Sequence, residues 1–160
     1  MNLKAYLIRA KIDFEFFEKQ ETHTAEAAAK ALGVSLDRII KSIVFVDENN
    51  SPLLAIVRGD QNVSRKKLQQ ALNVKKAKIA SQKAAEHITG YPTGGIPPIG
   101  HKNVLKTVID PLVLENTFMW AGGGTRKKMV KLRTSDILQQ SKAQVSEISV
   151  KHDDRDYSKQ

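Results

Sequence analysis

The chain reads as an α+β fold: a mixed, largely antiparallel sheet surrounded by short helices. Three observations point there. Short apolar runs are joined by tight hairpin signals, the helical stretches carry their own capping residues, and strands and helices do not alternate as parallel crossover units require. At 160 residues the length suits one domain, assigned to residues 1–150, with residues 151–160 as a polar C-terminal tail.

In chain order, Leu3, Tyr6, Leu7 and Ala10 recur at helical spacing, and Phe14, Phe16 and Phe17 then suggest a strand. Thr24 is placed to cap a second helix, with Glu26 in its first turn and Gly33 as its stop. Residues 36–40 form a short turn or helix leading into a strand over 41–46, a loop over 47–51 and a returning strand over 52–57. Ser64 caps a helix running to Leu72 that Asn73 ends. Residues 76–80 suit a short strand, and Ser81 caps a helix that stops near Gly90. Residues 90–100 hold four glycines and three prolines, which forbids regular structure. A strand over 104–109, a turn at Asp110-Pro111 and an extended piece over 117–121 come next. Gly122, Gly123 and Gly124 make a tight connection to a strand over 127–132, Ser135 starts a last helix, and residues 143–150 form one terminal strand.

Composition narrows the chemistry. The chain has no cysteine, which removes disulfides, thiolate metal sites and cysteine nucleophiles. Its apolar runs are far shorter than the roughly 20 residues of a membrane span, and residues 1–10 lack a signal-peptide core. A soluble cytoplasmic protein with no membrane association is expected. The net charge of +9 is concentrated: residues 58–106 hold 10 basic and 2 acidic side chains. Such clustering suits a polyanionic partner, although a solvated basic face gives the same count.

The four histidines, His23, His87, His101 and His152, form no ligand pattern, so no metal and no cofactor are expected. A GxSxG elbow is missing as well. Residues 95–102 read GIPPIGHK and fail as a phosphate loop. His101 separates Gly100 from Lys102, and Pro97 and Pro98 lack the N–H groups on which such a loop depends. What the stretch can do instead is hold a stiff backbone at Pro97 and Pro98 while Gly94 and Gly95 admit a ligand close to the main chain. Preorganised N–H donors there suit an ester carbonyl or its oxyanion; the alternative is a structural turn between helix and strand. Lys41 opens a strand whose two faces are otherwise apolar, so it either snorkels to solvent or lines a pocket. Arg126, Lys127, Lys128, Lys131 and Arg133 form a second basic group that either contacts phosphate or, the favoured reading, protects an edge hairpin.

Taken together, Thr24-Ala-Glu26-Ala-Ala with Leu32-Gly33, Ile40-Lys41-Ser42, Gly59-Asp60, Ile88-Thr89-Gly90-Tyr91, Gly94-Gly95-Ile96-Pro97-Pro98-Ile99-Gly100, Asp110 and Gly122-Gly123-Gly124 resemble the YbaK and prolyl-tRNA synthetase editing-domain family. The resemblance covers residues 1–145. It implies a freestanding, trans-editing aminoacyl-tRNA deacylase that hydrolyses the ester of mischarged tRNA, with tRNA as partner and an aminoacyl-tRNA synthetase as a possible second one. The other reading is a non-catalytic tRNA- or synthetase-binding module of the same fold. The resemblance makes Lys41 the functional lysine and Gly94, Gly95, Ile96, Pro97 and Pro98 the catalytic loop that holds the 3′ adenosine and ester. Ser42, Gly100, His101 and Asp60 are its expected substrate-binding residues. Such relatives use no metal and a water activated with help from the substrate. The chain departs from the family at Gly124-Thr125-Arg126, where synthetase-embedded domains carry a histidine. It departs again at Lys127, Lys128 and Met129, where cysteine-removing relatives carry an acid. Alanine, cysteine, serine and threonine all stay open as the amino acid removed.

Overall fold

A computed structural model describes residues 1–22 and 24–151. From residue 152 onward the expected polar tail lies outside the described residues. Among the described residues the α-helices are α1 (Leu3–Arg9), α2 (Ala25–Leu32), α3 (Arg65–Leu72), α4 (Gln82–Thr89) and α5 (Thr134–Ser141), and all but α5 start at a capping side chain. The side chains of Asn2, Thr24, Ser64 and Ser81 each accept a backbone N–H from the first turn of the helix they precede. Each such cap contributes about 1 kcal/mol. Gly33, Asn73 and Gly90 end their helices in the left-handed conformation.

The strands are β1 (Phe14–Glu18), β2 (Ile40–Val46), β3 (Pro52–Arg58), β4 (Gln61–Val63), β5 (Lys78–Ile79), β6 (Lys106–Ile109), β7 (Phe118–Gly122), β8 (Lys128–Arg133), β9 (Gln144–Val145) and β10 (Ser149–Lys151). They form a five-stranded sheet in the order β5-β2-β3-β6-β9, an antiparallel sheet β1-β8-β7 and a two-stranded ribbon β10-β4. In the larger sheet β3–β6 and β6–β9 are parallel and the other pairs antiparallel, as the α+β reading expects.

Strand β2 is central, and its alternation explains why both its faces are apolar. Ile40 and Val44 face a cluster that includes Leu54, Ile56, Met119 and Leu132, while Ile43 and Phe45 face another with Leu53, Val57, Leu68 and Leu72. Fully burying each of these side chains contributes about 1.5–3 kcal/mol. A third cluster packs Ala28 and Ala29 of α2 against Ile39 and Met129. On its outer side β2 is only partly covered. Strand β5 pairs with Phe45 and Val46 alone, with Ala80 N–H adding one bond to Val44 O. Between the single bridge of Ile39 to Trp120 and the bond at Val44, no strand among the described residues pairs with β2 on that side.

Three boundaries differ from the sequence expectation. The terminal strand over 143–150 is two pieces in different sheets, because the buried Asp110 carboxylate accepts the N–H groups of Ile148 and Ser149 and turns the chain there. The strand over 104–109 begins at Lys106, with Val104 fully exposed. Strand β4 was not expected. It exists because β10 returns to pair with it, a tertiary event that three residues do not announce.

Candidate active site

The uncovered half of β2 opens onto a cavity of about 460 Å3. Its walls are Lys41 and Ser42 on β2, Glu26 on α2, Asn62 on β4, and Thr93 and Gly94 on the glycine-proline loop. Ile96, Ala85 and Met129 add apolar wall, and Gly122 closes the cavity beneath the loop.

Lys41 is the basic side chain of this lining. Its Nζ donates to Asn62 Oδ1 at 3.2 Å. Burial lowers its pKa to about 8, against the opposing pull of the Glu26 and Asp60 charges. Of the two alternatives for Lys41, the geometry selects the pocket lining.

The loop is held from behind and left open in front. Gly95 N–H turns back to Pro92 O at 2.9 Å, and Gly124 N–H donates to Gly95 O at 2.8 Å. The two glycine segments meet backbone to backbone. A Cβ on Gly95 would come within 2.6 Å of Thr125 C, and one on Gly122 within 2.5 Å of Ile96 O. Arg126 Nε donates to Thr93 O at 2.7 Å. The Gly94 and Ile96 N–H groups donate to no group among the described residues, and Gly94 is exposed at the cavity with φ of +92°. Ser42 and Thr93 also line the cavity, and their buried oxygens, Ser42 Oγ and Thr93 Oγ1, have no hydrogen-bond partner among the described residues.

The expected site residues divide accordingly. Lys41, Ser42, Gly94 and Ile96 come together around the cavity. Gly95, Pro97 and Pro98 are buried behind them. His101 lies on that rear side and donates through Nε2 to Pro97 O at 2.6 Å. Burial lowers the His101 pKa, opposed by this hydrogen bond. Gly100 accepts Tyr91 OH at 2.8 Å and, like His101, lines a separate small depression beside Tyr6. Asp60 faces Arg58 in a two-pronged pair of 2.6 and 2.8 Å. Burial raises the Asp60 carboxyl, but the Arg58 hydrogen bonds and charge outweigh it and leave the pKa lowered. Its reach to the cavity is electrostatic, through Lys41.

From the sequence, Thr93 and Asn62 are not named as site residues, while Glu26 enters as part of the family motif and Arg126 as part of a charged hairpin, neither placed at the cavity. Thr93 had a visible signal, its place directly before Gly94; Asn62 had none, because it depends on β4.

Matched over residues 19–139, the chain fits the model of the aminoacyl-tRNA editing domain. The chain belongs to that family. EbsC of Enterococcus faecalis, described as a candidate Cys-tRNA(Pro)/Cys-tRNA(Cys) deacylase, is 31% identical over 87% of this chain and 85% of its own length. A proline–tRNA ligase of Nitratidesulfovibrio vulgaris is 34% identical over 65% of this chain and 18% of the ligase. Among solved structures, a candidate trans-editing enzyme for prolyl-tRNA synthetase superposes with a TM-score of 0.78 at 29% identity, covering 86% of this chain and 87% of that one. The hypothetical protein APE2540, at 21% identity, shares the fold with a TM-score of 0.85 over 92% and 99% of the two chains. An editing domain removes a wrongly attached amino acid from tRNA, so the activity is that of a hydrolase acting on the aminoacyl ester. No helix among the described residues is long and apolar enough to cross a membrane.

Proposed function

We propose that the cavity beside β2 is where this editing domain cleaves the ester of a mischarged tRNA, in trans and in the cytoplasm. The observation that carries the reading is the convergence on one cavity of a partly buried lysine and a glycine loop with unspent N–H groups. The 3′ end of the tRNA brings a phosphate and an ester. The Lys41 ammonium attracts the phosphate, and the Gly94 and Ile96 N–H groups face the carbonyl oxygen. A water adds to the carbonyl carbon, negative charge builds on that oxygen, and the bond to the ribose oxygen breaks. The ribose oxygen takes up a proton, and the free amino acid leaves. Donors fixed in advance stabilise the developing charge without reorganising, and holding water and ester together supplies the rest.

The exposed Lys78 and Lys83 flank, in sequence, the cavity-lining Ile79, Ala80 and Gln82, which suits an RNA backbone approaching the opening. Log affinity for tRNA should fall linearly with log salt, by about 0.7 per neutralised phosphate of a single strand. A flat response would remove RNA from the basic segment. The reading itself is tested by ester loss from tRNAs charged with alanine, cysteine, serine or threonine. Cleavage of one or more supports it, whereas salt-sensitive binding with no cleavage would make the protein a binding module.

A further inference from the structure

The glycine-proline loop reaches the cavity wall through a tight turn over residues 92–95, which Gly95 N–H closes onto Pro92 O at 2.9 Å. Gly94, at the third position, has φ of +92°, while Thr93, at the second, is not among the residues of positive φ. A bonded turn with positive φ at its third position alone is type II. The commoner type I turn keeps the same closing bond. It differs by rotating the central peptide, here the one between Thr93 and Gly94, through about half a turn. Glycine takes either sign of φ about equally, so Gly94 does not decide between the two forms. Thr93 C=O and Gly94 N–H point oppositely across one trans peptide, and the rotation exchanges their directions.

Arg126 decides. Its Nε donates to Thr93 O at 2.7 Å, a charge-assisted bond of the stronger kind. The arginine is itself anchored: its own carbonyl accepts the Thr22 N–H at 3.2 Å and the Lys19 ammonium, and its Nη1 lies 3.7 Å from Glu21 Oε1. Gly94 lines the cavity, whereas Arg126 is not among the residues that wall it. With the Thr93 carbonyl turned to Arg126, the N–H at the other end of the peptide is turned away from the arginine.

Resting on the deacylase reading, we propose that Arg126 is a positioning residue: by holding the Thr93 carbonyl it keeps the turn in its type II form and the Gly94 N–H presented to the ester carbonyl oxygen. In the flipped turn the Thr93 carbonyl takes the place of that donor, and a lone pair meets the oxygen on which negative charge builds. Polarising the peptide through its C=O also strengthens its N–H as a donor. A direct contact of Arg126 with a tRNA phosphate would act on binding instead.

The test is single-turnover deacylation, over a range of protein concentrations, of whichever alanyl, cysteinyl, seryl or threonyl tRNA wild type cleaves. Arg126→Met should lower the limiting rate constant roughly thirtyfold, short of the hundredfold or more that follows from deleting a donor outright. The half-saturating protein concentration should not change. Arg126→Lys, whose ammonium sits one bond farther out than Nε, should recover most of the loss. In ligand-free protein, the strong Overhauser contact between Thr93 Hα and the Gly94 N–H that a type II turn produces should weaken in Arg126→Met, within an otherwise conserved amide spectrum. Should Arg126→Met fail to fold, Arg126→Gln, which removes the charge and shortens the reach, takes its place in both measurements. A wild-type rate in the variant, a change confined to half-saturation, or an unweakened Thr93–Gly94 contact overturns the proposal while the deacylase reading stands. Cleavage of no ester by wild type overturns both.

Discussion

The segment over 91–101 has two sides that obey opposite rules. Its rear is braced by hydrogen bonds: Tyr91 OH donates to Gly100 O, His101 Nε2 donates to Pro97 O, and Thr89 Oγ1 accepts the Tyr91 N–H. Ile96 and Ile99 are set into the main core. On its front, the cavity side, lies the exposed Gly94, with Lys41 and Ser42 of β2 lining the same cavity; the Gly94 and Ile96 N–H groups and the Ser42 and Thr93 hydroxyls have no hydrogen-bond partner among the described residues, and burial lowers the Lys41 pKa. The rear holds the backbone of the segment still behind the polar residues that line the cavity.

Breaking the rear should have the largest effect. Gly95→Ala places a Cβ 2.6 Å from the Thr125 backbone, where neither side can yield cheaply. Urea unfolding should show a loss of about 3 kcal/mol; an unchanged midpoint would mean that the two glycine segments do not touch. The front should respond in the opposite sense. Lys41→Met removes a charge that burial opposes and should raise stability by about 1–2 kcal/mol. The sign follows from proton binding. Lys41 has a pKa of about 8 when folded against 10.5 as its ordinary value, so between those values the unfolded chain binds more protons. Wild-type stability should therefore rise with pH across that window, with the increment absent in Lys41→Met. A variant less stable than wild type would contradict this view of the front.

The smallest effect belongs to His101. Its pKa is lowered from 6.5, so the unfolded chain binds the extra proton first as pH falls. Stability should decline as the pH drops below 6.5. Replacement by Phe should cost about 1 kcal/mol through the lost bond to Pro97 O and flatten that decline. Because His101 acts through the loop, deacylation by the variant should lose kcat more than it changes KM.

Most of the frame was legible in the sequence because its signals are local. Thr24, Ser64 and Ser81 cap helices from their own first turns, and Gly33 and Gly90 stop them by backbone freedom alone. Lys41, Ser42 and the loop over 94–98 were named through resemblance, and of these Lys41, Ser42, Gly94 and Ile96 line the cavity. What was not legible depends on distant partners. The three residues of β4 become a strand only when β10 arrives, and Asp110 divides the terminal strand only because Ile148 and Ser149 reach it. The cavity itself arises from β5 being two residues long, which no periodicity in residues 76–80 reveals. His101, adjacent to the loop in sequence, faces its rear for the same reason: which side of a loop a residue serves is decided by packing.

Lys41 carries the claim of catalysis most directly. Single-turnover deacylation of a mischarged tRNA by wild type and by Lys41→Ala, with both proteins shown folded, should differ by about a hundredfold, as removal of one preorganised electrostatic group in an enclosed site does. Wild-type activity should also fall above pH 8 as the ammonium is lost. Equal rates for the two proteins would contradict the claim that this cavity cleaves the ester.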